Sequence, residues 1–252
     1  MAHWYKFVLY YLWIAPHVLL VVVPVLMYTR RLHKNFPVFF VYTLYETLGF
    51  LLRFGAFAAG RGLGGGLYRY VFLVTAVGSI ALRFGIIHEI FNNIFHDYPR
   101  LVGIASASTR WVTGLLLVAA VLTAWYSSGA GADNLMVGVS VLSRSVAIIQ
   151  AGLLLFLFLF SRMFGLSWRS FVFGIGFGFA IFSSAQLVNW TLELTALTEH
   201  SKQLLDLLPT GSYHVSVLVW LGYLLAGEKP VGAATYTAPE MDQWSGELER
   251  SQ

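Results

Sequence analysis

Residues 68–95 read YRYVFLVTAVGSIALRFGIIHEIFNNIF, an apolar stretch with Arg83 at its middle and Glu89 further along. A bilayer's hydrocarbon core is about 30 Å thick and takes about 20 helical residues. The stretch is thus long enough to cross with a tilt or to project beyond one face. A guanidinium near the bilayer centre costs about 3 kcal/mol on insertion scales, so such a residue turns toward the bundle interior. There it marks a pathway, a pocket or a structural ion pair. This stretch predicts a membrane-spanning helix with a polar inner side.

Six further stretches of the same kind flank it, at 7–28, 37–58, 110–126, 135–160, 168–192 and 211–227. Together they predict an all-α, polytopic membrane protein: a bundle of seven transmembrane helices over 1–229, followed by a disordered tail at 230–252. Composition agrees, with 58% hydrophobic and only 11% charged residues, where soluble domains carry about 25% charged. The spans use roughly 140 residues, which leaves short loops and no room for a soluble catalytic domain. The absence of Cys excludes disulfides and thiolate chemistry. The net charge of +4 is no nucleic-acid signature, because the Lys and Arg gather beside the spans.

With the N-terminus outside, the inner segments hold Arg30, Arg31, Lys34, Arg100, Arg110, Arg162, Arg169 and Lys229. The outer ones hold Lys6, Arg61, Arg69 and Lys202. That positive-inside bias predicts an external N-terminus and a cytoplasmic C-terminus. Trp4, Tyr5, Tyr68, Tyr98, Trp111, Trp125 and Trp168 sit near span ends, as an interfacial belt does. The first apolar run is longer than a signal-peptide core and lacks a small-x-small cleavage site, so it reads as a retained span. The third outer segment, 193–210, has the pattern of an amphipathic helix over the bundle mouth. Pro209-Thr210-Gly211 then suits a turn into the last span.

The polar residues inside the spans are the candidate site. Glu46 and Arg53 are seven apart on one face of the second span, and Gln186, Asn189 and Glu193 share a face of the sixth. Arg144 lies nine residues into the fifth span, roughly 13 Å deep. With Arg83, Gln150 and His214 they would converge on the outer half of the bundle. One reading is a pocket for a small anionic or amphiphilic ligand. The other is a set of buried ion pairs, Arg53 or Arg144 with Glu46 or Glu193.

His88, Asn92 and His96 repeat every four residues, close to a His-Glu-x-x-His helix, but Asn92 stands where the second His belongs. Zinc needs three protein ligands and an open position, so no metal and no cofactor is expected. Gly174 and Gly178 form a G-x-x-x-G pair that favours close helix packing. The Gly-rich segment 60–66 lacks the Gly-Lys-Ser/Thr ending of a P-loop. The last span, SYHVSVLVWLGYLLAG, has no Lys for a retinal Schiff base, and the Asp-Arg-Tyr and Asn-Pro-x-x-Tyr signatures are missing. HKNFPVFFVYTLYE (33–46), HEIFNNIFHDYP (88–99) and SRSVAIIQAGLLLFLFLFSRMFGLSWRSFVFGIGFG (143–178) resemble a group of uncharacterised bacterial seven-span membrane proteins. The resemblance implies a multi-pass protein of the bacterial inner membrane and transfers no activity.

These features point first to a membrane sensor with a polar pocket, signalling to an inner protein partner that the sequence leaves unnamed. A small transporter or proton-linked channel is the alternative, with Glu46, Arg83, Arg144 and Glu193 as its relay. An intramembrane enzyme fits least, because no nucleophile–base pair is suitably spaced. Topology is directly checkable. Reporter fusions after Lys34, Pro99 and Lys229 should report the inside, and those after Gly65 and Asp133 the outside; an external C-terminus would sink the assignment.

Overall fold

The computed structural model describes residues 2–59, 66–94, 139, 143–148, 150–152, 154–155, 158–159, 168–193 and 199–226. Long helices dominate them: α1 (Ala2–Thr29), α2 (Pro37–Ala59), α3 (Gly66–Ile94), α4 (Phe171–Glu193) and α5 (Glu199–Ala226). Four contain segments long and apolar enough to cross a membrane: Phe7–Thr29, Pro37–Ala59, Leu67–Ile94 and Phe171–Leu192. The chain is a multi-pass, all-helical membrane protein. The expected span at 110–126, much of the one at 135–160, the segment 60–65 and the tail 230–252 lie outside the described residues.

Helix ends show how a chain in lipid satisfies its backbone. α1 stops where Arg31 turns left-handed, with φ of 59°, and its N–H donates to the Tyr28 carbonyl at 3.1 Å. A 3-10 turn, Leu32–Lys34, leads to Pro37 at the first position of α2, where the missing N–H costs nothing. The next two N–H groups, of Val38 and Phe39, donate to the two Glu89 carboxylate oxygens at 2.7 and 2.9 Å. A side chain of α3 thus caps α2, answering two of its orphan donors. The Arg30 guanidinium donates likewise to the Leu224 carbonyl near the end of α5.

The last span departs from expectation. α5 runs without a break from Glu199 through Pro209, so the anticipated amphipathic segment supplies its opening turns. Proline removes one N–H, but its fixed φ is helical. Neighbouring hydroxyls also bond along the helix: Thr210 donates to the Leu207 carbonyl at 3.1 Å and Ser212 to the Pro209 carbonyl at 2.9 Å. α4 begins three residues later than expected, at Phe171, with the Ser170 hydroxyl accepting from the Phe173 N–H at 3.3 Å.

The helices close a ring in which α1 packs on α2 and α5, α2 on α3, α4 on α5, and α3 on α4. Aromatic rings fill the centre: Phe39 meets Trp220 at 5.2 Å, Tyr42 meets Phe179 at 5.3 Å and Phe179 meets Trp220 at 5.0 Å. Described residues between 143 and 159 pack on α4, where Phe158 meets Phe173 at 4.9 Å. Val18, Val21, Leu48, Leu52 and Leu218 are among the large apolar side chains left exposed, as lipid-facing positions are.

Between α4 and α5 the glycines are notches for rings. A Cβ on Gly174 would strike the Tyr223 ring, and one on Gly178 would lie 2.8 Å from Trp220 Cδ1. The Trp220 indole N–H reaches the Ile175 carbonyl at 3.3 Å, and the Ser216 hydroxyl donates to the Gly178 carbonyl at 2.7 Å. Gly178→Leu should therefore expel Trp220 and lower stability in detergent by about 1–3 kcal/mol, the range of core overpacking. An unchanged melting temperature would show that Trp220 can leave its notch freely.

Candidate functional site

The α2 face carrying Tyr42, Glu46, Gly49 and Arg53 repeats at helical spacing and turns inward; all but Arg53 are buried. Arg53 Nη2 lies 3.5 Å from a Glu46 carboxylate oxygen, and its Nε donates to the Gly49 carbonyl at 3.1 Å. Ser79 of α3 donates its hydroxyl to the other Glu46 oxygen. The carboxylate is thus held by one charge and one hydroxyl from two helices. His17 of α1 stands beside this pair. Its Nδ1 meets the Trp13 carbonyl at 2.9 Å, its ring stacks on Phe50 at 4.2 Å, and Tyr213 is 5.4 Å away.

One turn beyond Ser79 on α3, Arg83 spreads its guanidinium over the Phe182 ring, 4.6 Å from the centroid. Phe182 is the central residue of α4, which runs Phe171–Glu193. The Tyr213 ring also packs on Phe182, at 5.6 Å. The Tyr42 hydroxyl faces the guanidinium without forming an aligned hydrogen bond. Five helices therefore contribute to one polar layer at mid-bundle, above the aromatic floor of Phe39, Phe179 and Trp220.

The layer holds more hydrogen-bonding capacity than its own atoms use. Arg83 Nε, the hydroxyls of Tyr42, Tyr213 and Ser183, and both amide atoms of Gln150 have no hydrogen-bond partner among the described residues. Tyr42 is 0% exposed, Gln150 and Ser183 are 1% exposed. Gln150 reaches this level because the described residues around it meet α4 in reverse order. Arg144 lies beside Trp190, Leu154 would be 3.4 Å from a Cβ on Gly176, and Phe158 meets Phe173, which brings Gln150 about level with Ser183.

 The residues expected to converge do so in part. Glu46, Arg53 and Arg83 share the layer, Gln150 is buried at about the level of Ser183, and the Gln186 side chain lies one turn along α4 from Phe182, its carbonyl oxygen also without a hydrogen-bond partner among the described residues. Asn189 is buried a further turn on.

Arg144 is a correction. It is exposed rather than buried against Glu46, and its guanidinium lies 5.4 Å from the Trp190 ring centroid. Glu46 already has an intrahelical partner seven residues away, which leaves it no need of Arg144. His214 also stands apart from the layer, edge-on to Tyr11 at 5.7 Å. The Glu193 side chain lies outside the described residues. Glu89 serves as a helix cap and His88 pairs with Asn92 at 3.1 Å. Tyr42, Ser79, Ser183 and Tyr213 escape a search for charges. Two of them were legible by spacing, since Tyr42 and Ser79 each lie four residues before a charged residue of the layer.

No family model, no curated protein and no solved structure matches this chain. The geometry of the layer therefore carries the functional argument.

The two arginines should respond differently to loss of charge. Arg53→Met leaves the Glu46 carboxylate with Ser79 alone, a loss of up to about 3 kcal/mol given that Arg53 is partly exposed. Adding Glu46→Gln should restore part of it, with a coupling of about 0.5–3 kcal/mol. Arg83→Met strands no carboxylate and should leave stability in detergent unchanged or higher. Additive losses in the Glu46–Arg53 cycle would show that the ion pair does not hold α2.

Proposed function

We propose that this chain is a membrane sensor, a seven-helix bundle with an external N-terminus and a cytoplasmic C-terminus, whose mid-bundle polar layer binds a small molecule. The observation that supports it most is the unused hydrogen-bonding capacity of Arg83, Tyr42, Tyr213, Ser183 and Gln150. Buried polar groups in folded proteins are nearly always paired, and a cluster of unpaired ones at one level suits a guest that pairs them. The likeness to uncharacterised bacterial seven-span proteins suggests the inner membrane as its site. The short basic inner segments would offer the surface for a protein partner.

A transporter is the competing reading. The relay it would need runs through Arg144, which stands on the surface over Trp190, so the sensor is preferred. The discriminating experiment uses the full chain in sealed proteoliposomes, with octanoate and acetate as probes. A sensor binds a probe, read as a rise in melting temperature, without protein-dependent uptake. Uptake above that of protein-free liposomes would replace the sensor with a transporter.

A further inference from the structure

The helices carry Glu46 and Glu89 within their apolar lengths, Glu193 at the end of α4, and Glu199 and Asp206 in the opening turns of α5. Glu46 is paired with Arg53 and Ser79, and Glu89 accepts the N–H groups of Val38 and Phe39. Among the described residues no carboxylate remains for Arg83, which keeps its proton throughout the accessible pH range. Its contacts are the Phe182 face and the nearby Tyr42 hydroxyl. Arg53, Glu46 and Arg83 together leave the layer with one surplus positive charge.

Tyr42 and Tyr213 stand near that charge, Ser183 and Gln150 lie at about the level of Phe182, and all four are donors of the kind an anion needs. The Tyr42, Tyr213 and Ser183 hydroxyls and the Gln150 amide each have a proton to give and no acceptor among the described residues. Phe179, Phe182 and Trp220 supply apolar walls. A guanidinium fork matches a planar carboxylate with two parallel hydrogen bonds, whereas a dianion would reverse the charge imbalance instead of cancelling it. We propose that the layer is a binding site for a monocarboxylate, with Arg83 holding the carboxylate and Tyr42 and Tyr213 donating to it. This deepens the sensor reading and rests on it for the location of the site. The carboxylate could belong to a small soluble acid or to a fatty acid from the bilayer.

The test uses the full chain purified in detergent, in a sulfate buffer, with melting followed against acetate, octanoate and neutral octanol. Acetate or octanoate should raise the melting temperature, and octanol should not. A similar response to both acids points to a soluble acid, and a response to octanoate at far lower concentration points to a bilayer lipid. Arg83→Met should abolish the shift. Tyr213→Phe keeps the charge and should weaken apparent affinity at least about tenfold, the loss of one hydrogen bond to a charged group. The proposal is overturned if no carboxylate shifts the melt, if octanol matches octanoate, or if Arg83→Met keeps the full response. Should Arg83→Met fail to fold, unchanged affinity in both Tyr213→Phe and Gln150→Leu overturns it. Carboxylate binding accompanied by uptake into liposomes would remove the sensor and leave the carboxylate site standing.

Discussion

Hydrocarbon offers no partner to an N–H, a carbonyl or a charge, and that constraint orders this bundle. Each helix satisfies its own interior, so the difficulty collects at helix ends and at polar side chains. Glu89 answers the first by reaching from α3 to the opening N–H groups of α2, and Arg30 does so by reaching from the end of α1 to the Leu224 carbonyl of α5. Both contacts tie one helix to the terminus of another. Backbone satisfaction and helix placement are therefore the same set of bonds on this side of the bundle.

Within the membrane the gain from burying apolar surface is small, because lipid is as apolar as leucine. Close packing and hydrogen bonds must hold the helices instead. The α4–α5 contact supplies both: Gly174 and Gly178 admit the rings of Tyr223 and Trp220, while Ser216 and Trp220 donate to carbonyls of α4. The ring thus docks where a side chain is missing, and its N–H ends on the backbone behind. α2 and α3 repeat the device on a smaller scale, with Tyr45 against Gly78 and its hydroxyl on the Val74 carbonyl at 3.2 Å.

The spans that the structure describes were legible from apolar length, with ends displaced by a few residues. The largest displacement came at Pro209, where proline signals a break in the sequence but is tolerated in a helix whose neighbouring hydroxyls bond within it. At the site, spacing revealed the Glu46–Arg53 pair, because seven residues return a side chain to the same helical face. It could not reveal that Arg144 faces outward. Depth along a helix follows from counting, but the direction a residue takes depends on the neighbours of an evenly apolar helix, which has no polar face to betray its orientation. Tyr213 and Ser183 were hidden for the same reason, being mildly polar residues among apolar ones.

Arg83 is the residue that stability alone does not explain. Its insertion cost of about 3 kcal/mol is offset only in part by the Phe182 face, since a desolvated cation–π contact contributes about 2 kcal/mol. An apolar side chain of similar volume would pack there without that cost. Arg53 differs, because removing it would strand Glu46. Two arginines on adjacent helices thus have opposite relations to the fold: one completes a pair that the bundle needs, and the other stays mid-helix with hydroxyls near it and no carboxylate among the described residues. A charge held against its own energetic interest, beside hydroxyls with protons to spare, is not accounted for by what keeps the bundle folded.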